Sequence, residues 1–206
     1  MGKQRSADGR SSRDLLLARA VDYLAAHGLS DLSLRQLAAA LGTSHRMLIY
    51  HFGSREGLLV EVVRAVEART REALAGLLAV TGEPDDEVAR RFWRQLSDPA
   101  LAPHERLFFE VYGQALQGRP HAVPLLDGIV DSWLIPGAAM LEAQGLAPDE
   151  ARAEARLSLA VIRGLLLDLL ATGDAEGVTA AFDRSLTNYA QRRRAGKTSD
   201  SNTPPV

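Results

Sequence analysis

The sequence predicts an all-α protein, on three observations. Apolar residues recur at spacings of three and four along nearly the whole chain, the period of helices with one buried face. Neither strand-like alternation nor an Asn-Gly hairpin turn interrupts them. Prolines stand at expected helix starts and glycines after expected ends, the asymmetry that helix termini favour. A small N-terminal three-helix unit containing a helix-turn-helix is expected, joined by a long helix to a larger helical domain.

The elements follow in order. From about Ser11 to His27, Leu16, Leu17, Ala20, Val21 and Leu24 line one helical face, and Gly28 ends that helix. Ser33 caps a second helix whose inner face is Leu34, Leu37, Ala38 and Leu41. Gly42 supplies the positive φ of a sharp corner, and Thr43 or Ser44 caps a third helix turning Met47, Leu48 and Phe52 inward. After the link Gly53-Ser54 a long helix runs to about Leu78, with Glu56 in its first turn. Glu83-Pro84-Asp85 opens a helix to about Ser97, and Pro103 one to about Gln117. The Pro120–Pro124 region starts another to about Gln144, Pro148 one to Thr172, and Gly173-Asp174 the last. Residues 1–10 and 195–206, polar and poor in large apolar side chains, are expected to be disordered tails.

The third helix presents His45, Arg46, Ile49 and Tyr50 outward, a spacing that lines one face. Arginine can fork onto guanine O6 and N7, histidine and tyrosine can reach phosphates or base edges, and isoleucine can meet a thymine methyl. An ordinary helical hairpin with a polar surface gives the same bare pattern, so the flanking helices carry the distinction.

The run from Leu29 to Leu59, which contains LSLRQLAAALGTS followed by YHFGSREGLL, resembles the N-terminal domain of the TetR family of bacterial transcription regulators. Turn glycine, capping serine, His-Phe and Ser-Arg-Glu-x-Leu-Leu keep their spacing together over about 50 residues. The resemblance implies a DNA-binding domain over 11–58 and a helical effector-binding and dimerisation domain over 59–194. Residues expected at DNA are Ser33, Arg35, Thr43, Ser44, His45, Arg46, Ile49, Tyr50, His51, Ser54 and Arg55. The chain departs from the family at one position: Ile49 stands where a phosphate-contacting tyrosine is usual, and Tyr50 follows one residue late, about 100° further round the helix.

Composition bounds the alternatives. The net charge of the 206 residues is −2, but residues 1–60 carry +3 and the remainder −5, so positive charge gathers at the helix-turn-helix end. The absence of cysteine excludes disulfides, thiolate metal sites and a cysteine nucleophile, and fits a cytoplasmic protein. The polar N-terminus does not read as a signal peptide, and the apolar stretch from Leu157 to Ala171 is broken by Arg163 and Asp168, so no membrane span is expected. Gly-x-Ser-x-Gly, His-Glu-x-x-His, a phosphate-cradling glycine loop and the dinucleotide fingerprint are all missing. No enzymatic activity, cofactor or metal is therefore expected.

The larger domain carries two further signals. Six of eleven aromatic residues fall between positions 92 and 133: Phe92, Trp93, Phe108, Phe109, Tyr112 and Trp133. They either fill a core or line a pocket, and Pro136-Gly137, inside an expected helix from Leu125 to Leu141, favours a kink that leaves space. The candidate ligand-binding set is Trp93, Phe108, Phe109, Tyr112, Trp133 and Met140, for a small hydrophobic or aromatic molecule. From Leu157 to Leu170 nearly every side is apolar, and a helix of that kind must be covered all round. With Val178, Phe182, Leu186 and Tyr189 at fourfold spacing, it forms either the monomer's core or half of a four-helix dimer interface that includes Leu159, Ile162, Leu166 and Leu170. Arg163 and Asp168 in that helix need partners: either structural ion pairs, with each other's dimer mate or with Glu110, or a cationic ligand that meets Asp168 and Glu110.

The reading that joins these signals is a homodimeric DNA-binding regulator, a repressor released from a palindromic operator by a small molecule. An all-helical protein-interaction adaptor without ligand control is the alternative.

Overall fold

The computed structural model describes residues 11–27, 33–79 and 84–200. These form nine α-helices: α1 Ser12–His27, α2 Leu34–Ala40, α3 His45–Phe52, α4 Arg55–Leu78, α5 Asp85–Leu96, α6 Ala102–Leu116, α7 Asp131–Ala143, α8 Pro148–Thr172 and α9 Ala175–Asp200. Short 3₁₀ turns cover Pro99–Leu101 and Val123–Leu126. Among the described residues there is no strand, so the all-α expectation holds. The expected tail 1–10, residues 201–206 and Gly28 lie outside the described residues. The C-terminal helix passes the expected boundary at 194 and continues to Asp200.

The chain packs as two compact units, Met1–Ala75 with Pro99–Pro136, and Gly76–Asp98 with Gly137–Val206. The division does not fall at 58–59, where the motif ends. In the first unit one continuous core takes Leu16, Ala20, Val21 and Leu24 from α1, Leu37 and Ala38 from α2, Leu48 and Phe52 from α3, and Leu58, Leu59, Val60, Val62 and Val63 from α4. Leu107, Phe108, Val111 and Ala115 of α6 join the same cluster, and α1 packs directly on α6. The apolar stripe of α1 therefore serves both the helix-turn-helix and a helix that starts 90 residues after it, a long-range pairing that local periodicity cannot reveal.

In the second unit α9 packs between α5 and α8. Its core includes Val88, Phe92, Trp93, Leu96, Leu141, Ala151, Ala155, Leu166, Val178 and Phe182. At Gly137 a side chain would meet the Ala155 Cβ at 3.3 Å, so the glycine lets α7 and α8 approach closely. Arg90 fastens α5 to α9, donating to Asp183 at 2.9 Å and to Asp86 at 2.6 Å.

The single helix expected over Leu125–Leu141 is two pieces. The 3₁₀ turn ends at Leu126, Gly128 adopts φ +72°, and α7 begins at Asp131. Pro136 lies inside α7 without ending it. The 21-residue stretch Val123–Ala143 reaches a mean hydropathy of 1.2, that of a membrane span. The Gly128 turn leaves α7 with 13 residues, about 20 Å of helix against a hydrocarbon layer of about 30 Å.

Candidate nucleic-acid interface

Three serine caps and two glycine corners set the geometry of the helix-turn-helix. Ser33 and Gln36 form a reciprocal capping box, the Gln36 amide donating to Ser33 Oγ at 3.4 Å and the Ser33 amide to Gln36 Oε1 at 2.9 Å. Gly42, at φ +66°, turns the chain out of α2, and the Thr43 amide closes the end by donating to the Ala38 carbonyl at 2.9 Å. Ser44 caps α3, its Oγ accepting from the Met47 amide at 3.2 Å, which settles the choice between Thr43 and Ser44. Gly53, at φ +76°, ends α3, and Ser54 Oγ accepts from the Gly57 amide at 2.9 Å to open α4.

Leu48, fully buried, and Phe52 are the inner face of α3. Behind them Arg13 lies 5.2 Å from the Phe52 ring centroid and pairs with Glu61 at 2.5 Å, tying α1 to α3 and α4. Gly57 completes the clamp: a Cβ there would come within 2.3 Å of the Phe52 carbonyl oxygen, so no other residue fits at the unspecified position of Ser-Arg-Glu-x-Leu-Leu. Neither stands out in the sequence: Arg13 acts on Phe52, 39 residues away, and Gly57 through a backbone approach that apolar periodicity does not register.

Of the expected DNA-contacting residues, Ser33, Arg35, Ser44, His45, Arg46, Ile49 and Tyr50 are exposed. Thr43, His51, Ser54 and Arg55 are half-buried. Tyr50 projects furthest, at 78% exposure. His51 stands edge-on to Tyr50 with ring centroids 5.0 Å apart, and its Nε2 is enclosed, which leaves that nitrogen turned away from a DNA partner. Met47 was expected inward, but it is 40% exposed and belongs to the outer face. An eight-residue helix with Leu48 and Phe52 already packed has no further inner position to give it.

The arrangement is a rigid, capped helix held from behind and presenting one cation, a phenol and two apolar side chains to solvent, beside the capped starts of α2 and α4. The positive dipole ends of helix starts suit phosphates, and the outer face of α3 suits base edges. Residues 16–62 match the family profile of bacterial regulatory proteins, tetR family. That match marks residues 16–62 as an N-terminal domain of the tetR family. Among solved structures, a transcriptional regulator of Rhodococcus sp. Rha1 superposes with a TM-score of 0.70 at 22% identity, over 88% of this chain and 97% of that one. FadR of Thermus thermophilus, a TetR-family transcriptional repressor in complex with lauroyl-CoA, gives 0.62 at 18% identity, over 85% and 91%. A Saccharomonospora viridis protein in complex with choline gives 0.64 at 24% identity, over 87% and 95%. These likenesses establish the TetR fold over most of the chain. No curated protein sequence matches it.

The six candidate ligand-binding residues divide between the two units. In the first, Phe108 is buried, stacked on Tyr112 at 5.2 Å and edge-on to Phe109 at 5.2 Å. Trp133 is half-buried there, its Nε1 donating to Glu67 Oε2 at 2.6 Å and its face covered by Arg71 at 5.7 Å. In the second, Trp93 is 1% exposed, stacked on Phe182 at 4.9 Å and 11°, with Nε1 donating to Thr179 Oγ1 at 3.1 Å. Met140 is half-buried in the same unit.

The expected interface residues also separate. Leu166, Val178 and Phe182 are buried within the single chain, Phe182 by Trp93, so they have no surface to give a partner. Leu159, Ile162, Leu170, Leu186 and Tyr189 are half-buried. The exposed apolar positions of α8 are instead Leu157 and Leu167, at 46% and 52%. Asp168 is exposed and Glu110 accepts from Gln114 at 3.4 Å, so neither is a buried charge in need of an ion.

Proposed function

We propose that this TetR-family chain is a homodimeric transcriptional repressor that binds a roughly palindromic operator and leaves it when a small molecule binds. The observation that carries the DNA-binding part is the outer face of α3, exposed on a helix whose rotation is fixed by Leu48, Phe52 and the Gly57 approach. Two such helices related by a two-fold axis read half-sites about one helical turn or somewhat more apart. The dimer reading is supported by Leu157, Ala160, Gly164 and Leu167, which share the outward side of α8 and give it a small-residue apolar stripe with no charge among them.

Ligand release is supported by the relatives: the Thermus thermophilus repressor holds lauroyl-CoA and the Saccharomonospora viridis protein holds choline. The aromatic content of residues 92–133 favours an apolar or aromatic molecule here. Selection of bound fragments from genomic DNA, followed by challenge of the complex with acyl-CoA esters, aromatic acids and choline, tests the proposal. An inverted repeat released by one class supports it; fragments without a repeat remove the dimeric reader, and a complex that withstands every class removes ligand release.

A further inference from the structure

We infer that the reading helix recognises thymine methyl groups flanking a guanine, with Met47 and Ile49 sensing the methyls on the two sides. The inference rests on the proposed DNA-binding role and specifies its half-site. With Leu48 and Phe52 buried, a rotation of about 100° per residue places Arg46 and Tyr50 opposite the core, and Met47 and Ile49 on opposite flanks of that face. Both flanking side chains are 40% exposed, a cost in water unless a partner covers them.

The major groove offers one apolar group on its base edges, the C5-methyl of thymine. Residues 45–52 contain no Asn, Gln, Asp or Glu, the side chains that read adenine and cytosine, so α3 lacks the means to specify either directly. Arg46 supplies the fork for guanine O6 and N7. The sequence hid half of this pattern, because the helical period assigns Met47 to the core.

The test uses full-length protein and a duplex selected from a random pool. Each thymine near the Arg46-dependent base pair is replaced in turn by deoxyuridine, which removes the methyl alone, and dissociation constants are measured by fluorescence anisotropy. One buried methyl corresponds to about fourfold in affinity, so wild type should bind the uracil duplex about fourfold more weakly per half-site. Met47→Ala and Ile49→Ala should each lose the distinction at its own thymine, the ratio of the uracil to the thymine dissociation constant there falling from about four to about one. Both residues are exposed, so the truncations leave the core filled, and unchanged melting temperatures verify it. Selected sites with no thymine beside the guanine, or a uracil penalty that persists in both variants, would overturn the inference. Failure of wild type to bind any duplex would overturn the DNA-binding reading beneath it, a result distinct from equal binding of thymine and uracil.

Discussion

Replacing Trp93 by alanine distinguishes a packed core from a ligand cavity in the second unit. The indole is 1% exposed, lies parallel to Phe182 at 4.9 Å, and donates its one N–H to Thr179 Oγ1. Truncating a buried tryptophan costs about 3–5 kcal/mol where neighbours cannot close the void. The stacked pair contributes about 0.5–1.5 kcal/mol beyond area alone, and the hydrogen bond about 1 kcal/mol. Thr179 is half-exposed and can be hydrated, so it adds little penalty. A loss in the upper part of the range, about 4–5 kcal/mol, is expected, which for a chain of this size lowers Tm by roughly 8–20 °C. Trp93→Phe keeps a ring against Phe182 but not the donor, and should fall between the two. Urea unfolding followed by circular dichroism measures both. A cost under about 1 kcal/mol for Trp93→Ala, with an unchanged m-value, would refute the packed core and return Trp93 to the lining of a cavity.

Three further outcomes are expected. Ser44→Ala removes the α3 cap and should lower stability by about 1 kcal/mol in the same unfolding assay; no change would mean the cap is dispensable. Leu167→Arg should yield folded monomers in sedimentation, whereas Phe182→Glu, placing a charge against Trp93, should unfold the chain; an intact Leu167→Arg dimer would remove the α8 outer face from the interface. Burial first, and then the Arg69 charge, push the His104 imidazole below its ordinary 6.5, with Asp22 opposing in part. The unfolded chain then binds the proton more readily, so this contribution to stability is complete above about pH 6.5 and is lost as pH falls toward the folded value. His104→Gln should flatten that acid limb, and identical slopes in the two proteins would assign the acid sensitivity elsewhere.

Much of the fold was legible because its signals are local. The helix-turn-helix rests on caps and glycine corners within 25 residues, and Ser33, Gly42, Ser44, Gly53 and Ser54 perform the parts their types imply. Helix starts at Pro84, Pro103 and Pro148 were visible for the same reason. What escaped depends on partners far away in the chain. The Arg13 clamp on Phe52 joins residues 39 positions apart, the stacking of Trp93 on Phe182 residues 89 apart, and the shared core of α1 and α6 two helices whose starts are 90 apart. Periodicity says that a residue is buried, not against what, so the sequence assigns Phe182 and Val178 to the dimer face although both are buried within the single chain. Met47 failed for a different reason: on a helix of eight residues two large side chains exhaust the inner face.

The most direct test of the DNA-reading face is the affinity of wild type and Arg46→Ala, side by side, for a selected fragment and a scrambled duplex across a salt series. Wild type should prefer the selected fragment, with log Kd rising linearly with log salt. Arg46→Ala should lose about 1–3 kcal/mol on that fragment and relax the preference at one base pair, while its binding to scrambled DNA changes little. Equal affinity of wild type for the two duplexes at every salt concentration, or an Arg46→Ala protein indistinguishable from it, would contradict the assignment of α3 as the element that reads sequence.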